Sequence, residues 1–456
     1  MRSEFVVPVR EKLAFGIGDF AFNIAYTTMG FYFIYFLVNV AGLPAFWAGI
    51  VFLLARIWDA FLNLIVGNIS DRTETRFGRR RPYILFGSIP FGIAFVFLWI
   101  VPVQGTVPLL IYYLFITFLF NALFSLTSMP YNAMMPELTQ DYDERTSISG
   151  YRMGLSFVGN LVAAAGVAVI VDVFYHGRMH YRESYPVMGI IFAVVIIVSL
   201  LITFWGTHER VKPEKISSEG LVATMQSILK LMEFRIVLGM FLFNMIALDL
   251  IQTLFVFFLK DVIHVPENMT FVVMGLPLVI AVAAAPLWVF LGEKLGKRKA
   301  YILSTCYFIV VLLSALFAPV YNLAFIIVLA VLSGVGISAS QIIPFSIIPD
   351  IIEIDEIQHG TRREGAFYGS MMFLYKLASA VVIGLATAVL GYFGYVENST
   401  LPQPDSAIIC IRVLLGLGPG ALFLISVYFV KILPITKESF DAVKRIIEER
   451  KRRSTT

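Results

Sequence analysis

Three polar residues stand inside one long apolar run: Arg56, Asp59 and Asn63 in LLARIWDAFLNLIVG. Spacings of three and four place them on one face of a helix. A carboxylate with an amide one turn away can take a proton or a cation. Counted from the start of its run near 44, Asp59 lies about 22 Å along a helix that rises 1.5 Å per residue, close to mid-membrane. A charge at that depth must look into a protein or water-filled interior. Two further ionisable groups sit at comparable depth. Lys376, in YGSMMFLYKLASA, is the natural partner for Asp59: an arriving proton or cation would compete with its ammonium for the carboxylate. Asp249, in FNMIALDLIQTLF, lies near Asn244 and Gln252 and is a second candidate proton carrier.

A polar stripe follows in LFITFLFNALFSLTSMPYNAMMPEL, where Asn121, Ser125, Ser128 and Asn132 recur every three or four residues, with Arg152 beyond the next bend. Asn23 lies one turn after Asp19 in GIGDFAFN. Such a stripe lines a cavity or forms a hydrogen-bonded seam between helices. Neutral amides and hydroxyls suit a polyhydroxylated ligand, so Asn23, Ser125, Ser128, Asn132 and Arg152 are the expected substrate contacts. Asp19, near a helix end, and Arg56 are read as gating groups. Arg79 and Arg80, in the loop that closes on GRRRP, are expected to latch against acids such as Glu137 and Asp350.

These residues need helices that cross a bilayer. Of 456 residues 59% are hydrophobic and 14% charged, with mean hydropathy +0.83, a composition outside that of soluble globular domains. Twelve runs long enough to span fall within 13–39, 44–69, 82–102, 107–135, 147–174, 186–206, 235–260, 270–292, 300–318, 321–350, 365–394 and 406–431. Lys and Arg crowd alternate loops. The others hold only Arg178, Arg182 and Lys260, with Arg412 near one end, so both termini are expected in the cytoplasm of a plasma (inner) membrane protein. The longest polar connection divides the spans six and six, giving 1–206 and 235–432 as bundles, 207–234 as a linker and 433–456 as a tail. In that tail Phe440, Val443, Ile446 and Ile447 share one face, as in a helix lying on the inner leaflet. An internal repeat supports the division: MPYNAMMPEL at 129–138 is echoed by IPFSIIPDI at 343–351, and FGRRRPYIL at 77–85 by LGKRKAYIL at 295–303, at closely similar offsets. The expected fold is an all-α membrane protein of two pseudo-symmetric six-helix bundles, as in major facilitator transporters. Cys306 and Cys410 both lie in apolar runs and imply neither disulfide nor metal cluster. No phosphate-binding loop or nucleophile triad appears, so an enzyme is not expected, and nothing suggests nucleic acid.

Three stretches carry a family resemblance: RIWDAFLNLIVGNISDRTETRFGRRRPYILFG, MPYNAMMPELTQDYDERTSISGYRMG and IPDIIEIDEIQHGTRREGAFYGSMMFLYKLASA. They resemble the glycoside, pentoside and hexuronide:cation symporters, the branch that contains melibiose permease, and they cover both halves in order. The resemblance implies uptake of a sugar or glycoside coupled to a cation by alternating access, with no cofactor besides the co-transported proton or sodium. It assigns Asp59 to the first acid of the cation site, Lys376 to a membrane-buried lysine and Arg152 to an arginine near the sugar. The departures matter. A second acid is Asn63 here, an intervening asparagine is Leu62, two galactoside-binding aspartates are Asn23 and Ser128, and a stacking tryptophan is Asn132. One carboxylate and an amide make a poor sodium cage, which favours a proton; the GRRRP loop, similar to that of sucrose:proton carriers, points the same way. Galactoside specificity does not carry over. Alternatives are a sodium-coupled sugar symporter, a carrier of lysolipids or other amphiphiles on the same fold, and a non-transporting sensor.

Overall fold

A computed structural model describes residues 7–71, 73, 75–139, 142–175, 180–210, 227–359, 364–399 and 401–433. The amphipathic helix expected from Thr436, and most of the linker expected over 207–234, lie outside these residues. Among the described residues, twelve helices are long and apolar enough to cross a membrane. They are α1 (Val9–Asn39), α2 (Ala45–Asp71), α3 (Arg81–Leu98), α4 (Thr106–Leu138), α5 (Tyr142–Ala168), α6 (Tyr181–Gly206), α7 (Met232–Phe257), α8 (Glu267–Leu295), α9 (Lys297–Ser314), α10 (Leu323–His359), α11 (Glu364–Tyr392) and α12 (Asp405–Ile432). Three are locally widened into π turns: Met29–Phe33 within α1, Val169–Phe174 after α5 and Phe258–Ile263 after α7.

Several boundaries fall a few residues from expectation, and two of these differences have a plain physical reason. α3 stops at Leu98, short of 102, because Trp99 leaves helical ψ and Pro102 follows shortly after. α10 runs on to His359, past 350, because IIEIDEIQH keeps helix-forming residues after the apolar stretch has ended.

Contacts group the chain into two units, one of residues 1–216, 252–275 and 380–411, the other of residues 217–251, 276–379 and 412–456. The first has a proximal end, with the α2–α3 and α4–α5 loops, and a distal end, with the α1–α2, α3–α4 and α5–α6 loops. In it α1 packs on α5 and α6, α2 on α4, and α3 on both α4 and α6. Its core is aromatic. Phe15 stacks on Tyr131 at 4.6 Å, Phe22 meets Phe124 edge-on at 5.7 Å, and Trp99 stacks on Tyr185 at 5.7 Å. Gly49 on α2 marks a close approach: a Cβ there would run into Thr387 Oγ1 and stand 3.1 Å from the Gly384 carbonyl. The second unit buries Phe234, Phe241, Tyr301, Phe367 and Met371 in its own cluster. Phe86 and Phe115 remain 69% and 67% exposed, on surfaces that lipid tails would cover.

Candidate functional site

Asp59, on α2, is 5% exposed and accepts a hydrogen bond from Ser125 Oγ of α4 at 2.8 Å. One turn earlier on α4, Asn121 Nδ2 donates to the Ala55 carbonyl at 2.8 Å, so the two helices are stitched along this face. A cavity of about 30 Å³, close to the space of a single water, opens among Tyr26, Met29, Phe52, Arg56, Asp59 and Asn121. The Arg56 guanidinium lies over the rings of Tyr26 and Phe52 at 4.9 and 5.0 Å, and donates to the Tyr26 hydroxyl at 3.1 Å. Asn63 keeps its side-chain oxygen buried, with no hydrogen-bond partner among the described residues.

A second cluster lies on α1, α4 and α5. One terminal nitrogen of Arg152 donates to Asp19 Oδ1 at 3.0 Å and to Asn132 Oδ1 at 2.6 Å. Its guanidinium stands 5.5 Å from the Tyr131 ring centre. Asn23 Nδ2 donates to the Asp19 carbonyl at 2.8 Å and to its carboxylate at 3.3 Å. Asp19, expected at a gate, thus shares one network with Asn23, Asn132 and Arg152, expected at the substrate. The α4 stripe divides: Ser125 turns to Asp59, while Asn132 turns to Arg152. Ser128, between them, buries an Oγ that has no partner among the described residues. The charges here are paired across helices, as partly buried charges must be.

The second unit holds Asp249, 8% exposed. It accepts hydrogen bonds from the Tyr375 hydroxyl at 2.6 Å and the Ser379 hydroxyl at 2.5 Å, both on α11. Lys376 lies in the same turn of α11. Asn244 donates to the Ser340 carbonyl at 2.9 Å and accepts from the Tyr301 hydroxyl at 3.1 Å.

At the proximal end, Arg80 pairs with Glu137 at 3.1 Å, both side chains about 5% exposed or less, and donates to Ser70 Oγ. Burial pushes the Glu137 carboxyl above its ordinary range, and the Arg80 charge opposes part of that shift. Glu209, just after α6, accepts the backbone N–H groups of Arg79, Arg80 and Arg81 at 2.6, 2.8 and 2.9 Å. A carboxylate therefore caps the positive end of α3, whose first turn holds Pro82. Gly78 makes room for it: φ is +105°, and a Cβ would stand 2.6 Å from the Glu209 carboxyl carbon. The side chain of Asp350, the other expected latch acid, lies outside what the structure describes. Sequence reasoning passed over Glu209; its position in the connection after α6 gave no sign that it folds back onto the α3 terminus.

Twelve apolar helices among the described residues, carrying buried acids and amides in their interior, define an integral, multi-pass membrane protein. A family model for MFS/sugar transport proteins matches residues 14–437, and the chain belongs to that family. It is 28% identical to an uncharacterized symporter of Synechocystis sp., over 96% of each chain, and 27% identical to the sodium-dependent lysophosphatidylcholine symporter 1-B of Danio rerio, over 97% of this chain and 90% of that one. Among solved structures, a bacterial homologue of the human lysosomal transporter Spinster superposes with a TM-score of 0.66 at 13% identity, over 97% and 98% of the two chains, a likeness of fold. The protein is a transporter of the major facilitator fold, not an enzyme.

Proposed function

We propose that the chain imports a sugar or glycoside together with a proton, with both termini in the cytoplasm, and that Asp59 carries the coupling ion. The observation that carries this reading is the separation of two polar clusters along α4, one around a single buried carboxylate, Asp59 with Ser125, the other around Asp19, Asn23, Asn132 and Arg152. The first can take a charge without a multi-oxygen cage. The second offers donors and acceptors of both kinds for hydroxyl groups, with Tyr131 beside them. Arg152 and Asp19 satisfy each other while the site is empty and exchange those bonds for ligand hydroxyls when it is filled. Asp249, held by two hydroxyls, is a second group able to accept a proton, and Lys376 is the ammonium proposed to compete with the ion for Asp59.

Two observations favour a second reading. The Asn63 side-chain oxygen, buried and without a partner among the described residues one turn from Asp59, is a neutral ligand of the kind sodium takes. A relative is named a sodium-dependent lysophosphatidylcholine symporter, so an amphiphile is the alternative cargo. Uptake into proteoliposomes of a panel of labelled sugars and glycosides, and of a labelled lysophospholipid, with and without sodium at two external pH values, decides among these. Sugar uptake that follows the pH gradient and ignores sodium supports the proposal. Lysolipid uptake without sugar uptake overturns it.

A further inference from the structure

The distal end of the first unit holds a buried charge pair that neither polar cluster uses. Lys260 Nζ lies 2.7 Å from Asp172 Oδ1 and donates to the Tyr181 hydroxyl at 2.5 Å. The side chains of Lys260 and Asp172 are 7% and 1% exposed. Two rings wall the ammonium, Tyr181 at 4.7 Å and Tyr35 at 5.5 Å from their centres. Asp172 sits in the π turn that follows α5 and Lys260 in the π turn that follows α7, 88 residues on. One half of the internal repeat supplies the acid and the other the base.

Neighbouring contacts tie the same segments. The Tyr395 hydroxyl, beyond α11, is bonded to Asp261 Oδ2 at 2.7 Å and to Asn39 Oδ1 at 3.0 Å. On α8, a Cβ on Gly275 would stand 3.2 Å from a methyl of Leu161 and 3.3 Å from Ala165 Cβ, both on α5. The Gly49–Thr387 approach is a further close contact between helices of the two sequence halves.

We propose that Asp172, Lys260 and Tyr181 are positioning residues for transport: they lock the distal mouth shut, and their separation is the step that lets the binding site face the distal side. The inference rests on the alternating-access reading above. Parting this pair strands an ammonium and a carboxylate, and each then needs water that only an open mouth supplies. Charge separation and wetting therefore happen together, which makes the element bistable rather than gradually yielding. A pair that only braced the fold would need no charges here, since apolar side chains of similar volume hold buried helices together as well.

The test uses the full chain in liposomes, with Cys306→Ser and Cys410→Ser removing the native thiols and Met29→Cys, on the wall of the small cavity, as reporter. A membrane-impermeant maleimide is added to the distal side. Asp172→Asn or Lys260→Gln raises the rate of labelling on the order of tenfold; Tyr181→Phe, which keeps the ion pair, raises it less. The double exchange Asp172→Lys with Lys260→Asp returns the rate toward that of the parent. Should a single variant fail to fold, the neutral pair Asp172→Asn with Lys260→Gln carries the same expectation, folding being checked by gel filtration and thermal melting. Unchanged distal labelling in the folded variants overturns the lock, as does a folded charge exchange that labels as fast as the single variants. Labelling needs neither substrate nor ion, so failure here is distinct from failure of the proposed cargo or coupling, which the uptake panel reads.

Discussion

Asp59 and Ser125 meet across α2 and α4 at 2.8 Å, with the hydroxyl donating to the carboxylate. Their relationship separates the two coupling ions. Turned toward a sodium ion, the same hydroxyl oxygen would serve as a neutral ligand, whereas a proton taken up by Asp59 needs no ligand beside it.

Replacing Ser125 with Ala therefore has different consequences under the two readings. Under proton coupling uptake stays indifferent to sodium. Under sodium coupling the sodium needed for half-maximal uptake rises, by about tenfold for a lost interaction of about 1.4 kcal/mol. Initial uptake rates of the parent and the variant across a sodium series tell the two readings apart.

Asp59→Asn is expected to abolish uphill accumulation while leaving exchange of substrate across the membrane. The amide keeps the shape of the site and its contact with Ser125 but can no longer take up a charge. Sugar-driven alkalinisation of proteoliposomes measures the loss, and unaltered proton uptake would remove Asp59 from the coupling role.

Arg152→Lys retains a cation on a shorter side chain, whose nitrogen no longer reaches the point from which one guanidinium nitrogen serves both Asp19 and Asn132. The expected result is a KM for substrate raised by about tenfold or more, with maximal rate less affected. Asp19→Asn, which leaves Arg152 without its charged partner, is expected to change affinity as well; if it changes only the rate, Asp19 belongs to gating.

The proximal pair gives stability a pH dependence whose sign follows from burial. Glu137 holds its proton to higher pH in the folded protein than in the unfolded chain, so folding takes up a proton between the two values. That contribution is fully present below the ordinary glutamate value of 4.5 and is lost as pH rises through the raised one. Glu137→Gln, which still offers Arg80 an acceptor, flattens this part of the curve of melting temperature against pH in detergent. A slope left unchanged would assign it to other groups.

Gly78→Ala is expected to lower stability by about 1–3 kcal/mol. The new Cβ meets a φ of +105° and the carboxylate of Glu209 together, and the displaced carboxylate releases the three amides that lead into α3. Thermal unfolding compared with Glu209→Gln separates backbone strain from the lost cap.

The twelve spans were legible because apolar length is a bilayer requirement written residue by residue, and the GRRRP loop because Gly, Arg and Pro punctuate a helix start. Asp59, Asp19 and Arg152 stood out because charge in an apolar run has few explanations. Their partners were less legible. Asn121 and Asn132 bound a stripe that runs about 16 Å along α4 at 1.5 Å per residue, so its ends face different neighbours. Spacing alone could not say that Ser125 serves the acid on α2 while Asn132 serves the arginine on α5. Lys260 was counted among loop charges and Asp172 was passed over, since both fall where an apolar run fades, and nothing local links residues so far apart. The π turns were invisible too, because a surplus residue leaves no trace in composition.

Those π turns give α5 and α7 an axle. Each winds its last residues more loosely than the helix before it, so tightening one back to α geometry swivels whatever lies beyond by about 100° while the ladder of amides is handed on rather than broken. Asp172 and Lys260 ride on those turns, and a twist of either screws its charge out of the other's reach without bending a helix.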